Sequence, residues 1–304
     1  MTWSTLRADA TRELAAAGII PAEAEARFLV EEASGYDADE WLEIADLDPP
    51  MRAAAKFETM LARRVAGEPL QYVLGSWSFR TLDLLVDKRV LIPRPETEFV
   101  VEVALEEAER LGLKRIRRRL ALVEPEATTV IADLGTGSGA IALALEAELA
   151  DVEVWATDVS ADAHDVARAN VAGCAAVRVR IGSPGEWFEG LPETLRGTLR
   201  LVVSNPPYIA EHEVPALPDE VVQYAPYEAR VAGPTGTEAL ETVLDHARAW
   251  LAPGGSVVVE LAPHQAEAMA AFAQELGYHD ARVRNDLTGR ARVVVARTEP
   301  GRNS

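Results

Sequence analysis

The feature that most constrains this fold is an apolar, strand-like run that ends in three alternating glycines and continues as an apolar helix. The run begins at Val130, the glycines are Gly135, Gly137 and Gly139, and the helix is predicted over 140–149. Glycines allow backbone conformations and close approaches that a Cβ would block, and a helix N-terminus carries free N–H groups. The segment predicts a cofactor-binding loop, although an ordinary tight turn can have a similar sequence.

The residues after this loop favour the cofactor site over the plain turn. A second strand-like run covers 152–157, and Asp158 stands at its end. In doubly wound folds, an acidic residue about 20 positions on accepts hydrogen bonds from ribose hydroxyls. No Lys-Ser or Lys-Thr pair follows the loop, which disfavours a nucleoside triphosphate, and the glycine spacing also differs from the dinucleotide fingerprint. The candidate cofactor-binding residues are Gly135, Thr136, Gly137, Ser138, Gly139 and Asp158.

Strand-like and helical segments alternate from Glu96 to a last predicted strand at 292–296. This alternation predicts an α/β fold, a doubly wound and mostly parallel sheet covered by helices on both faces. Ligands in such sheets bind beyond the carboxyl ends of the strands. The glycine loop, Asp158, Trp187 and Asn205 are therefore expected along one rim of the sheet.

A second motif, Asn205-Pro206-Pro207-Tyr208, follows the strand-like run 199–203. The Asn205 side chain can accept and donate hydrogen bonds, whereas neither proline carries an N–H. The prolines keep the backbone extended, so that the Pro206 carbonyl and the Asn205 side chain can face one target. That target should be a planar donor such as an –NH₂ group, with Tyr208 against its plane. A rigid turn without chemistry is the alternative.

The rest of the chain divides into two smaller parts. Apolar residues at helical spacing, in three segments that each end at glycine, predict a helical domain over 1–69. The pattern between Leu70 and Ile92 is strand-like and predicts a β-hairpin linker over 70–95. The doubly wound domain then covers 96–304. The helical part has too few polar groups for catalysis, so partner recognition is its expected role.

Composition limits the choice of partners and compartment. The chain has 304 residues, with 49 acidic and 30 basic side chains and a net charge of −19. Such a surface repels a phosphate backbone, so no direct nucleic-acid binding is expected. The single cysteine, Cys174, cannot form an internal disulfide, and no apolar run reaches the ~20 residues that span a bilayer. We expect a cytoplasmic monomer that does not contact membranes.

Other chemical signals are weaker. The five histidines show no metal-binding spacing, so no metal is expected. The one strongly basic run, 114–119, is interpreted as a solvated insertion, with contact to RNA as the alternative.

The glycine loop with its preceding Asp133, the acidic end of the second strand and the Asn-Pro-Pro-Tyr motif together resemble class I S-adenosylmethionine-dependent methyltransferases that act on amino nitrogen. The segments 64–75 and 91–98 are similar to those of bacterial glutamine methyltransferases that modify peptide chain release factors. The resemblance covers nearly the whole chain. It implies S-adenosyl-L-methionine as cofactor, S-adenosyl-L-homocysteine as product and class-1 release factors as partners. The implied reaction methylates the side-chain nitrogen (N5) of the glutamine in their Gly-Gly-Gln motif.

The resemblance also implies roles for single residues. Trp187, after the third strand, is expected to stack on adenine, and Arg94 to anchor the segment that frames the substrate entrance. Asn205, Pro206 and Tyr208 are the expected catalytic residues, and Asn205 also lies at the cofactor. The expected substrate-binding residues are Arg94, Asn205, Pro206, Pro207 and Tyr208.

Other functions remain open from the sequence alone. Asn-Pro-Pro-Tyr also occurs in methyltransferases of adenine N6, of ribosomal RNA and of a ribosomal-protein glutamine. A protein with this fold could instead bind a partner without catalysing transfer. Ala225 and Ala291 stand where acidic residues are common in the family.

Overall fold

The computed structural model describes residues 1–116 and 129–301, which separate into two compact units. The first unit contains residues 1–77 and 219–224, and the second contains the remaining described residues. Part of the basic run predicted at 114–119 lies outside the described residues. Among the helices that are described, none combines the length and apolar character that crossing a membrane requires.

The first unit is helical, as predicted. It consists of α1 (Trp3–Ala16), α2 (Ala22–Ser34), α3 (Trp41–Ile44), α4 (Met51–Val65) and α5 (Leu70–Leu74). Trp3 and Phe57 are buried in its core with their rings edge to face, 6.2 Å between centroids. Arg64, 9% exposed, donates from Nε to the Glu25 carboxylate at 2.6 Å, so this buried charge is paired.

The strand-like interpretation of the segment from Leu70 was wrong for its first residues. Residues 70–74 form α5, bounded by Pro69 and by Gly75 with φ +79°. A run of five mostly apolar residues is too short for periodicity to separate strand from helix. The predicted hairpin follows, with β1 (Ser76–Phe79) and β2 (Leu82–Leu85) forming a two-stranded sheet.

The second unit alternates strands and helices. In chain order these are α6 (Pro95–Arg110), β3 (Thr129–Leu134), α7 (Ala140–Glu148), β4 (Val152–Thr157), α8 (Ala161–Gly173), β5 (Val179–Ile181), β6 (Leu199–Ser204) and β7 (Ile209–Ala210). After α9 (Asp219–Tyr224), which belongs to the first unit, come β8 (Val231–Gly233), α10 (Glu238–Trp250), β9 (Leu251–Glu260), α11 (Ala266–Glu275), β10 (Asp280–Asn285) and β11 (Ala291–Arg297).

Seven of these strands form the central sheet in the order β10-β11-β9-β6-β3-β4-β5. Strands β9, β6, β3, β4 and β5 pair in parallel, whereas β11 runs antiparallel to both of its neighbours. The chain moves outward from β3 through β4 to β5 and then returns to place β6 on the other side of β3. Ligands bind at such a reversal of strand order. The prediction of a doubly wound, mostly parallel sheet is confirmed.

Helices cover both faces of the sheet because successive residues of its strands point to opposite faces and most of them are apolar. Ile131 packs in one core cluster with buried residues of α6 and α7, whereas Ala132 and Leu134 pack in another with those of α10 and α11. Burying one such aliphatic side chain stabilises the fold by about 1.5–3 kcal/mol. These two layers fix the carboxyl ends of β3, β4 and β6 at one rim.

Candidate active site

A cavity of about 710 Å³ opens at this rim, within the second unit. Eight of the predicted site residues line it, namely Gly135, Thr136, Gly137, Ser138, Asp158, Trp187, Asn205 and Pro207. They come from four separate stretches of the chain. The structure therefore brings the glycine loop and the Asn-Pro-Pro-Tyr motif to one cavity.

The glycine loop has the backbone conformation that its sequence predicted. Gly135, Gly137 and Gly139 have φ values of +68°, +54° and +84°, which side chains with a Cβ rarely adopt. The Gly137 N–H donates to Asp158 Oδ2 at 2.9 Å, and the Thr136 N–H donates to the Thr157 carbonyl at 2.9 Å. The loop is thus attached to the end of β4.

Asp133, near the end of β3, forms hydrogen bonds with the loop and with the first turn of α7. Its Oδ2 accepts from the Thr136 hydroxyl at 2.6 Å and from the Ala142 N–H at 3.1 Å. Its Oδ1 is buried and has no hydrogen-bond partner among the described residues. Burial raises the pKa of Asp133 to about 7. These two hydrogen bonds show that Asp133 supports the loop.

Asp158 faces the cavity with both carboxylate oxygens held by backbone donors. Oδ2 accepts from Gly137, and Oδ1 accepts from the Ser160 N–H at 3.0 Å. Its own N–H donates to His164 Nε2 at 3.0 Å, and burial lowers the pKa of His164, which favours the neutral acceptor form. Each carboxylate oxygen keeps a further lone pair for a ligand hydroxyl. The role of His164 was not predicted from the sequence.

Trp187 lies beside the glycine loop. It begins a short 3₁₀ helix with φ +50°, and its carbonyl accepts from the Thr157 hydroxyl at 2.8 Å. A Cβ on Gly135 would lie 3.7 Å from the Trp187 ring. The indole is only partly buried, so a planar ligand could contact it from the cavity.

Asn205 is placed by the pairing of β6 with β9. Ser204 lies opposite Val259 in this register, so Asn205 lies next to Glu260. Asn205 Nδ2 donates to Thr97 Oγ1 at 3.2 Å, and the Thr97 hydroxyl donates to Glu260 Oε2 at 2.8 Å. Thr97 lies in the first turn of α6 and lines the cavity.

The buried Glu260 and the half-buried Tyr208 complete this network. The Tyr208 hydroxyl lies 3.5 Å from Glu260 Oε1. Burial raises the pKa of Glu260 to about 7, and burial together with the Glu260 charge raises the pKa of Tyr208 to about 12. The phenol therefore stays protonated and acts as a donor at neutral pH.

Four predicted residues are not part of the cavity lining. Gly139 is buried at the start of α7, and Pro206 is also buried. The Tyr208 carbonyl accepts from Gln265 Nε2 at 2.9 Å, which fixes its segment. Arg94 is exposed as the residue before α6.

Sequence reasoning missed Thr97, Glu260 and Gln265. Thr97 lies inside the family-like segment 91–98, and Glu260 ends a strand of the parallel sheet, which is a general signal for a site residue. Gln265 had no such signal, because it acts through backbone carbonyls that only the folded chain brings near.

The sheet with one reversed strand, the glycine loop after β3 and the acidic residue after β4 define the class I methyltransferase fold. Two family models match the chain: the PrmC N-terminal domain over residues 5–75 and the methyltransferase small domain over residues 119–234. The crystal structure of the hMettl16 catalytic domain in complex with the MAT2A 3′UTR hairpin 6 superposes with a TM-score of 0.52 at 14% identity. It covers 83% of this chain and 82% of that one, and shows the fold alone.

Two relatives align over almost their full length. The release factor glutamine methyltransferase of Deinococcus radiodurans is 36% identical over 297 residues, which are 97% of this chain and 98% of the relative. That of Cereibacter sphaeroides is 38% identical over 293 residues, 96% of each. The chain belongs to the release factor glutamine methyltransferase family.

Proposed function

We propose that this protein transfers a methyl group from S-adenosyl-L-methionine to the side-chain amide nitrogen of a glutamine, the one in the Gly-Gly-Gln motif of class-1 peptide chain release factors. The observation that carries the proposal is the position of Asn205. It lies on the wall of the cavity that the glycine loop and Asp158 also line, and its Nδ2 is already engaged by Thr97. Its Oδ1 is thus left to accept from a donor amide.

The residues of the cavity fit the proposed cofactor. A volume of about 710 Å³ lies within the ~300–1,000 Å³ of typical ligand pockets. Asp158 can accept from ribose hydroxyls, and the Trp187 indole offers a face for adenine. Gly135 and Gly137 allow close approach of a ligand to the loop. When bound, S-adenosyl-L-methionine supplies an electrophilic methyl group on a cationic sulfur, and S-adenosyl-L-homocysteine is the product.

The protein's own contribution is orientation of the nucleophile. An amide nitrogen is a poor nucleophile because its lone pair is conjugated with the carbonyl. Acceptance of its N–H bonds by Asn205 Oδ1 and by the Pro206 carbonyl would direct that lone pair toward the methyl donor. Such positioning supplies ~7–11 kcal/mol in favourable intramolecular cases. The same acceptors bind the nitrogen more strongly as it becomes cationic, so they stabilise the transition state. The proton then leaves to solvent, and we assign no general base.

Recognition of the release factor is assigned to the N-terminal part. We keep the division into a helical recognition domain (1–69), a linker (70–95) and a methyl-transfer domain (96–304). The first unit exposes Leu42 and Met51, each 89% accessible, so these apolar side chains are available to contact another protein. The protein would act as a monomer in the cytoplasm, where release factors function.

The test is a transfer assay with methyl-labelled S-adenosyl-L-methionine and three acceptors offered separately: a release factor, duplex DNA and ribosomal RNA. Label is expected in the release factor alone, and label in either nucleic acid instead would contradict the proposal. Asn205→Ala should abolish transfer, and calorimetry should show that the variant keeps most of its affinity for the cofactor. Absence of cofactor binding by the wild type would favour a non-catalytic binding protein.

A further inference from the structure

A chain of hydrogen bonds connects the Glu260 carboxyl group through the Thr97 hydroxyl to the side-chain amide of Asn205. Asn205 Nδ2 lies 3.2 Å from Thr97 Oγ1, and Thr97 Oγ1 lies 2.8 Å from Glu260 Oε2. Thr97 and Glu260 are 4% and 1% exposed, so water competes little for these bonds. The three residues come from α6, β6 and β9 of one compact unit.

A threonine hydroxyl has one proton, and this fact gives the chain a direction. An ionised carboxylate can only accept, so Thr97 must donate its proton to Glu260. Thr97 then has only lone pairs left for Asn205, and these select the donor end of the amide, Nδ2. The other end, Oδ1, faces away from Thr97 as a hydrogen-bond acceptor.

Protonation of Glu260 removes this constraint. A neutral carboxylic acid can donate to Thr97 Oγ1, which frees the threonine proton to be donated to Asn205 Oδ1. The amide then turns over and presents its –NH₂ group in place of its oxygen. Two amide donors facing each other cannot form a hydrogen bond, so the glutamine substrate would not be held.

We propose that Glu260 and Thr97 are positioning residues for methyl transfer, in which the ionised carboxylate fixes the Asn205 amide with its oxygen toward the substrate nitrogen. The proposal rests on the proposed function, since it assumes that Asn205 accepts from a donor amide. Neither residue touches the methyl group or the reacting nitrogen in this account. Both act through Asn205.

The groups around Glu260 place its ionisation near neutral pH. Tyr208, which follows β6, can donate to Oε1, and Arg292 on β11 favours the ionised form. Burial and the charge of Glu96 on α6 oppose ionisation, and the net result is a pKa raised to about 7. The acceptor orientation of Asn205 is therefore expected to become dominant as the pH rises through this range.

The first test compares Thr97→Val, Thr97→Ser and the exposed control Thr198→Val in transfer to a release factor. Thr198 immediately precedes β6, at the opposite end of that strand from Asn205, and its hydroxyl donates to the Leu195 carbonyl. Thr97→Val should lower kcat about tenfold or more, which corresponds to the loss of roughly one hydrogen bond of ~1.4 kcal/mol. Thr97→Ser should restore most of kcat, and Thr198→Val should match the wild type.

Calorimetry with S-adenosyl-L-homocysteine should give the wild-type affinity for all three variants, which shows that they are folded.

The second test does not depend on activity. In the cofactor-free protein, the ¹⁵N–¹H signals of the Asn205 side-chain amide, assigned by their loss in Asn205→Ala, should shift with pH with a midpoint near that of Glu260. Glu260→Gln should abolish this shift and flatten the rise of kcat between about pH 6 and pH 8. Wild-type kcat and pH profile in both Thr97→Val and Glu260→Gln would overturn the positioning role. Failure of the wild type to methylate any release factor would instead refute the proposed function, and the amide signal would still test the orientation.

Discussion

At the scale of single residues, the two buried carboxyl groups near the cavity do different work. Asp133 accepts a threonine hydroxyl and a backbone N–H, and it fixes the glycine loop. Glu260 accepts from Thr97 and faces the phenol of Tyr208, and it supports Asn205. Burial raises the pKa of both groups to about 7. Ionisation of either group therefore lowers the stability of the fold.

Asp133→Asn tests this cost. Because the folded-state pKa of Asp133 is about 7 against an ordinary 3.8, the folded protein binds more protons than the unfolded chain between these values. This contribution to stability is complete at low pH and is lost as the pH rises to about 7. The neutral asparagine avoids that loss. Between pH 4 and pH 8, the free energy of unfolding of the variant should therefore rise relative to that of the wild type by about 2–4 kcal/mol. Urea unfolding at both pH values measures it.

The control for this prediction is the exposed Asp162→Asn in the first turn of α8. Its pH dependence of stability should follow the wild type. An Asp133→Asn protein with the wild-type pH dependence would show that Asp133 is not held at a raised pKa.

At the scale of elements, the segment that carries Tyr208 is held by a close backbone approach. Gly236 has φ +82°, and a Cβ there would lie 2.9 Å from both the Tyr208 carbonyl oxygen and the Ala210 nitrogen. Gln265 donates to the carbonyls of Tyr208 and Gly236, each at 2.9 Å. The loop after β8 thus fixes the end of the Asn-Pro-Pro-Tyr motif.

Gly236→Ala should therefore destabilise the protein more than Gly289→Ala. Both glycines have nearly the same positive φ, +82° and +83°, but a Cβ on Gly289 meets nothing within 4 Å. The backbone conformation alone should cost each variant about 1 kcal/mol, and crowding should add roughly 1–3 kcal/mol for Gly236. Urea unfolding gives the difference, and transfer activity should fall only in Gly236→Ala. Equal unfolding free energies of the two variants would show that the loop around Gly236 accommodates the added methyl group without strain.

The elements also show what a sequence can predict. Strands β3, β4 and β6 and helix α7 were located to within about a residue, because apolar runs bounded by glycines and polar residues are strong local signals. Helix α5 was missed because its run is so short. The contact between Thr97 and Glu260 joins residues 163 positions apart, so no local pattern contains it. The motifs predicted where the site is, whereas only the fold shows which buried groups orient the Asn205 side chain.

At the scale of the whole molecule, the net charge bears on the choice between a nucleic-acid and a protein substrate. The net charge of −19 disfavours a nucleic-acid phosphate backbone. The Asn-Pro-Pro-Tyr motif alone does not separate these acceptors. Charge, the helical first unit and the family to which the chain belongs together favour the protein substrate.

The central claim is tested most directly by mapping the methyl group on a release factor after incubation with the wild-type protein and S-adenosyl-L-methionine. Tandem mass spectrometry of the peptide that contains Gly-Gly-Gln should place a single methyl group on the glutamine side chain. Asn205→Ala should leave the same peptide unmodified. A methyl group on any other residue of the release factor, or an unmodified peptide after incubation with the active wild-type protein, would contradict the account.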